Sequence, residues 1–305
     1  MLSVLICTYN REKYIGNLLE SIAANDLAKS EYEIVLVDNN CTDNTKGVCE
    51  AFAVANKDVR FRYCVEPEQG LSAARNKAIK EAAGDVLLYV DDDALVDSWY
   101  LRTVAEYLAQ HPEISAIGGP IIPLYETEEP KWMTHYTKEL LCGYLYFGDK
   151  EHSFPGDRYP GGGNAAYRAE VFQQVGLFNT DLGRKGDGLM GSEEKDIFDK
   201  MKARGMRFMY LPKMILHHII PQKKLERDYF DRLTYQIGQS ERQRTKAIGT
   251  GKYINRLVKE AIKWGGTLVL LAGYTLQGQP MKGWKLVLFR WNVTRGLLGC
   301  GRADK

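Results

Sequence analysis

Four short apolar runs, separated by stretches with helical spacing, constrain the first ninety residues more than any other feature of this 305-residue chain. Ser3–Cys7, Ile34–Val37, Phe61–Val65 and Val86–Val90 are the runs, and their branched, continuously apolar character suits strands covered on both faces. Between them, Arg11–Ala24 places Tyr14, Leu18 and Ile22 on one helical face, and Thr42–Ala55 does the same with Val48 and Phe52. Leu71–Ala83 is Ala-rich and stops at Gly84. This alternation predicts βαβ units and a largely parallel sheet.

Further along, Asp97–Gln110 reads as a helix and Ile114–Ile117 as a strand. The rhythm breaks after Gly118: residues 119–192 are rich in Gly, Pro and aromatic residues, with one short helix at Ala169–Val175. Asp196–Arg204 predicts a helix, and Met206–Tyr210 and Met214–His218 predict short strands. Asp228–Lys263 reads as one long basic helical segment, Trp264–Leu276 as an uncharged stretch, and Trp284–Cys300 as amphipathic and basic. With 45% hydrophobic and 26% charged residues, the composition excludes a wholly disordered chain and a polytopic membrane protein.

Ligands of open parallel sheets bind beyond the carboxyl ends of the strands. Thr8-Tyr9-Asn10-Arg11 follows the first run, Asp38-Asn39-Asn40-Cys41-Thr42-Asp43 the second, and Asp91-Asp92-Asp93 the fourth. Packing does not require carboxylates crowded at such an edge, so a cation or a polyhydroxyl ligand is the natural explanation. Alternate residues of an extended segment point the same way, which lets Asp91 and Asp93 face one ligand. Hard carboxylates select Mg2+ or Mn2+, which also bind phosphate oxygens. A solvated acidic turn with Asp93 as a helix cap is the alternative.

The strings VLICTYNR, VDNNCTDNT, GLSAARNKAIKEAAGDVLLYVDDDA and GSEEKDIF together resemble glycosyltransferase family 2, over residues 3–221. That resemblance implies an inverting enzyme of the GT-A fold, α/β with a mixed central sheet. The GT-A domain would span 1–221, with a nucleotide-binding half at about 1–118 and an acceptor half at about 119–221, and a helical extension would occupy 222–305. Thr8, Tyr9, Asn10 and Arg11 would line the nucleotide pocket, and Asp38 would hydrogen-bond the base or ribose. Asn39 stands where the family often has a second Asp. Arg75 and Asn76 would hold the nucleotide or brace the acidic loop. Asp91, Asp92 and Asp93 form the family's DxD-type motif: Asp93 would bind the metal, Mn2+ or Mg2+, and Asp91 the metal or the ribose.

The second half supplies the reaction. Glycines in Gly161-Gly162-Gly163-Asn164 permit close backbone approach to a ligand, and Gly162, Gly163 and Asn164 resemble the family's segment beside the donor sugar and acceptor. Gly191-Ser192-Glu193-Glu194-Lys195-Asp196 resembles its G-x-E-D-x-D motif, with Glu194 where Asp is usual. The resemblance makes Glu194 the base and Glu193 its orienter or an acceptor contact. An acidic first helical turn is the plainer reading. A hydroxyl is a poor nucleophile that a carboxylate can deprotonate during attack, and a metal can stabilise the departing diphosphate. His217 and His218 follow a strand-like run, so at most one of them faces the site; the resemblance implies a His here at the metal site, and the H-x-x-P spacing favours His218.

The net charge of +2 hides an asymmetry: residues 222–305 carry 17 basic and 6 acidic groups, and residues 1–221 carry 24 and 33. Basic residues beside Trp284, Phe289 and Trp291 suit an interfacial helix on an anionic membrane; the alternative is a helical cap on the catalytic domain. No motif supports nucleic acid as a partner. A dinucleotide-dependent oxidoreductase lacks its G-x-G-x-x-G after the first strand. The six cysteines form no C-x-x-C pair and are expected reduced and mostly buried. Met1–Ile6 has no basic leader, which places the chain in the cytoplasm or on the inner membrane face. The expected partners are a nucleotide-sugar donor, by default a UDP-sugar, and a saccharide or lipid-linked saccharide acceptor in cell-surface glycan assembly. A non-catalytic nucleotide-sugar or membrane-surface binding protein is the competing reading.

Overall fold

The computed structural model describes residues 1–186 and 192–300. Gly191 of the acidic motif and residues 301–305 of the expected extension lie outside the described residues. In order, the elements are β1 (Leu2–Thr8), α1 (Ile15–Ala23), β2 (Tyr32–Asp38), α2 (Thr45–Ala55), β3 (Arg60–Val65), α3 (Leu71–Glu81) and β4 (Val86–Val90). Next come β5 (Ala94–Val96), α4 (Tyr100–Gln110), β6 (Ile114–Gly118), β7 (Ile121–Tyr125), α5 (His135–Cys142), β8 (His152–Ser153) and β9 (Asn164–Arg168). They are followed by α6 (Glu170–Val175), α7 (Glu193–Ala203), β10 (Arg207–Tyr210), β11 (Leu216–Ile220), α8 (Gln222–Leu225), α9 (Arg227–Ile248), α10 (Thr250–Leu276) and α11 (Pro280–Leu298).

The large sheet runs β3-β2-β1-β4-β9-β6-β10-β8, and a small one runs β5-β11-β7. β1 pairs parallel with β2 and β4, and β9 is antiparallel to both β4 and β6. Alternating side chains divide the core between the two faces of the large sheet. Val4, Ile6, Leu36 and Val90 pack with Leu18, Phe52 and Val104 of α1, α2 and α4. Leu5, Val35, Val37 and Tyr89 pack with Ala74, Ala78, Ile197 and Phe198 of α3 and α7. Burial on both sides is the reason these strands read as unbroken apolar runs.

The described residues form two compact units: 1–124 with 143–186 and 193–219, and 125–142 with Ser192 and 220–300. This differs from an unbroken 1–221 domain. Met133, Leu141 and Cys142 share a hydrophobic cluster with Ile220, Phe230 and Leu233, which draws the α5 segment to the C-terminal helices. The basic C-terminal segment also divides differently from its sequence pattern. Gly249, at φ 142°, separates α9 from α10, and α10 then runs on through the uncharged stretch to Leu276. Of the cysteines, only Cys49 and Cys142 are buried, and all six are free thiols.

Candidate active site

Parallel strands β1, β2 and β4 end at one edge of the large sheet, and antiparallel β9 begins there. Thr8 pairs with Asp38, and Val90 with Asn164. One edge therefore collects residues 8–11, 38–41, 91–93 and 161–164.

The two loops after β1 and β2 are tied together. Asn10, in the left-handed region at φ 54°, accepts from the Thr42 N–H at 2.7 Å, and the Arg11 N–H donates to Thr45 Oγ1 at 2.9 Å. Asp38 accepts from the Tyr63 hydroxyl and, at 2.7 Å, from the Cys41 N–H. Asn39 donates to the carbonyls of Glu66 and Glu68 at 2.9 and 2.8 Å and accepts from the Gly70 N–H at 2.8 Å. An aspartate could not make the two donations, which accounts for Asn at this position. Thr8 Oγ1 is buried and has no hydrogen-bond partner among the described residues.

The three aspartates are placed differently from one another. Asp92 receives Arg11 Nε at 3.0 Å and the Tyr9 N–H at 3.4 Å, so it braces the loop after β1. The Asp92 charge, against burial, pushes the Arg11 guanidinium above its ordinary range. Asp93 lies 3.2 Å from His218 Nε2 through Oδ1, and 3.6 Å from Arg11 Nη2 through Oδ2. The β5–β11 register, with Ala94 opposite His218, brings that pair together. His217 points elsewhere, to Asp97 at 3.3 Å. Asp91 rests on Gly163, where a Cβ would fall 2.0 Å from its carboxylate.

Gly162 does for Glu194 what Gly163 does for Asp91: a Cβ there would fall 1.9 Å from Glu194 Oε1. Adjacent bare Cα atoms thus make room for the Glu194 carboxylate at one and the Asp91 carboxylate at the next. Asn164, fully buried, accepts from the Tyr100 hydroxyl at 2.7 Å and donates to the carbonyls of Pro120 and Met214 at 2.8 and 3.0 Å. It anchors the glycine turn from beneath.

Arg75 Nη1 stands 2.9 Å from Glu194 Oε1 and 3.1 Å from Glu193 Oε1. The guanidinium is 3% exposed and lies over the rings of Tyr89 and Phe178, at 5.5 and 5.3 Å. Asn76 exchanges two 2.9 Å hydrogen bonds with the Phe178 backbone, fixing that ring. Burial, then the Glu194 charge, pushes Glu193 up to about 8 against the pull of Arg75. Burial also raises Glu194, but Arg75, its own backbone and a hydrogen bond from Glu193 bring it below its ordinary value. The two shifts run in opposite directions, so Glu193 is the member of the pair that keeps a proton and Glu194 the one that ionises first. Sequence reasoning offered Arg75 two roles, and the fold places it on the glutamates. The Tyr63, Tyr89, Tyr100 and Phe178 contacts were missed. Tyr89, set within the otherwise aliphatic β4, was the available signal; Tyr63 in β3, Tyr100 at the start of α4 and Phe178 in a loop offered none.

Among the described residues no group of three His, Cys, Asp or Glu side chains converges on one point. Asp93 and His218 nevertheless fit an octahedral ion: neighbouring ligands at ~2.1 Å from a metal stand roughly 3 Å apart. Mg2+ and Mn2+ commonly take one or two protein ligands and complete the shell with phosphate and water.

A mixed sheet with polar loops and carboxylates gathered at the carboxyl ends of its parallel strands has the architecture of a GT-A glycosyltransferase. The chain belongs to glycosyl transferase family 2, whose model matches residues 3–176. It is 26% identical over 244 residues to a glucosyl-dolichyl phosphate glucuronosyltransferase of Haloferax volcanii, covering 79% of this chain and 76% of that protein. It is 36% identical over 110 residues to the Staphylococcus aureus poly(ribitol-phosphate) beta-N-acetylglucosaminyltransferase TarS, covering 36% of this chain but 19% of TarS. The solved mannosyltransferase PcManGT of Pyrobaculum calidifontis, in complex with GDP-Man and Mn2+, superimposes with a TM-score of 0.64 at 18% identity, covering 99% of this chain and 88% of that one.

Proposed function

We propose that this chain transfers a sugar from a nucleoside-diphosphate donor, by default a UDP-sugar, to a hydroxyl of a saccharide or lipid-linked saccharide, with inversion. The observation that carries the reading is the packing of Glu194 against Gly162 and of Asp91 against the adjacent Gly163. An ionised Glu194, held by Arg75, accepts the acceptor's proton as the hydroxyl attacks. Glu193, pushed up by burial and by the Glu194 charge, holds a proton and keeps a second negative charge away from the reacting centre. The loops at 8–11 and 38–41 border the nucleotide pocket, and the buried Thr8 hydroxyl is an open hydrogen-bonding group there. Asp93 and His218 would hold Mn2+ or Mg2+, which when bound neutralises charge developing on the departing diphosphate. The Mn2+ and GDP-Man of the mannosyltransferase complex and the dolichyl phosphate in the Haloferax enzyme's name support the donor and acceptor classes.

Glu194→Gln keeps the shape and removes the base. Transfer should fall by about a hundredfold to ten-thousandfold while donor affinity by calorimetry is retained. Turnover at the wild-type rate would remove Glu194 from the reaction. Absence of turnover in both proteins across a panel of nucleotide-sugars, with donor binding intact, would favour a non-catalytic binding protein.

A further inference from the structure

Helix α10 is inside out. Its buried residues are Glu260 and Thr267. Ile254, Val258, Ile262, Val269 and Leu276 are each more than half exposed. They recur at four- and seven-residue intervals, so they form one stripe. Ile262 and Val269 each stand two residues, about 200°, from a buried polar residue. The polar face has partners. Glu260 receives Arg256 at 2.8 Å and Arg290 of α11 at 3.0 Å, and Glu241 of α9 receives Arg244 at 2.9 Å and Arg256 at 3.1 Å. The ion-pair network of Glu260, Glu241 and their arginines thus lies inside the helical bundle, and the branched aliphatics of α10 lie outside.

Helix α11 also exposes an apolar stripe, although its buried face is apolar too. Met281, Trp284, Trp291 and Leu298 are exposed on one stripe, opposite buried Gly283, Leu286, Val293 and Leu297. Tyr253 bonds the Leu297 carbonyl and Glu260 pairs with Arg290, so α10 and α11 are antiparallel. At about 100° per residue, with Glu260 turned to α11 and Arg256 to α9, both stripes fall on the side of the pair turned from α9.

The charges beside these stripes identify the occupant. From 250 to 298 the sole acidic residue is the buried Glu260, and the remaining charges are Lys or Arg, with Lys252, Lys259 and Lys263 exposed on α10. A second copy laid face to face would set cation against cation. An anionic lipid headgroup layer offers the opposite charge, with apolar depth below it for the aliphatic and Trp side chains. Among the described residues no helix is long and apolar enough to cross a membrane. We propose that α10 and α11 lie in the interfacial layer of an anionic bilayer, with the 254–276 and 281–298 stripes inserted and the lysines at the headgroups.

Sedimentation of the full chain with phosphatidylcholine vesicles, with or without phosphatidylglycerol, tests this without requiring turnover, so its outcome is separate from that of the transferase reading. The chain should pellet with anionic vesicles at low salt, and release as salt rises. Replacing Lys252, Lys259 and Lys263 by Gln should weaken partitioning roughly a hundredfold, about fivefold per lysine. Replacing Ile254, Val258 and Ile262 by Ser should abolish pelleting; these side chains are exposed, so an unchanged melting temperature confirms the fold. Failure of the chain to pellet at low salt would overturn the proposal. So would unchanged pelleting of the aliphatic variant, or a dimer in sedimentation velocity that the aliphatic substitutions dissociate while vesicles leave it in solution.

Discussion

Arg75 is one buried cation placed between two carboxylates. Three charged groups in such a setting hold only if one carboxyl takes a proton, and the geometry selects Glu193 for it, since its Oε2 is buried without a donor. Replacing Arg75 by Lys keeps the charge but loses the planar group lying over Tyr89 and Phe178. Transfer by Arg75→Lys should drop at least about a hundredfold in kcat with a smaller change in donor KM, as for an interaction that matters to the base rather than to the donor. A change in KM alone would place Arg75 on the nucleotide instead. Glu193 leaves a second mark. Its folded pKa lies above its unfolded value, so the native state binds more protons between the ordinary glutamate range and about 8. Its contribution to stability is full at acidic pH and is lost as pH rises to about 8, with a slope of at most about 1.4 kcal/mol per pH unit. Glu194, lowered, contributes in the opposite sense and only at the acidic end. Stability curves of Glu193→Gln and wild type should therefore converge towards acid and separate towards pH 8, the variant losing less. Parallel curves would place the proton elsewhere.

The glycine turn before β9 and the acidic first turn of α7 work as a matched pair. The turn has room for carboxylates because it has no side chains, and the helix delivers Glu194 into that room. Gly162→Ala sets a methyl group 1.9 Å from Glu194 Oε1, a separation that real atoms do not tolerate. The carboxylate must move. Transfer should fall by two orders of magnitude or so, while the melting temperature drops by no more than a few degrees, since Glu194 is 21% exposed and has room to swing. A fully active Gly162→Ala would contradict the placement of the base. The glycines were legible from the sequence as a site of close approach. Which carboxylate approaches each one was not, because that depends on the register of β9 against β4 and on where α7 begins.

With Asp93 and His218 as the proposed protein ligands, an ion should bind weakly alone and firmly with a diphosphate. Thermal unfolding should shift upward with Mn2+ and a nucleoside diphosphate together, by the equivalent of about 2.7 kcal/mol at a hundredfold excess over Kd, and little with either alone. Asp93→Ala should lose the joint shift. An equal shift with the nucleotide alone, in both proteins, would remove the metal from the site. The charge asymmetry along the chain belongs to this level as well: the basic segment contains α10, the helix that buries its glutamate and exposes its aliphatics.

The alternation of apolar runs with helical spacing was enough to foretell the sheet, its parallel order and the edge at which the polar clusters meet, because strand and helix periods are local and a strand buried on both faces has to be apolar throughout. The motifs likewise pointed to the aspartates, the glycine pair and the glutamates. The partners of Arg75 and Asn39 were hidden, as was the grouping of α5 with the C-terminal helices. Arg75 meets Glu193 across 118 residues of chain, and no period in a sequence records which side chain another layer will place opposite. The reversed polarity of α10 was hidden for the same reason. A stripe of Ile, Val and Leu reads as a core face until the packing of α9 and α11 reveals that the glutamate lies inside.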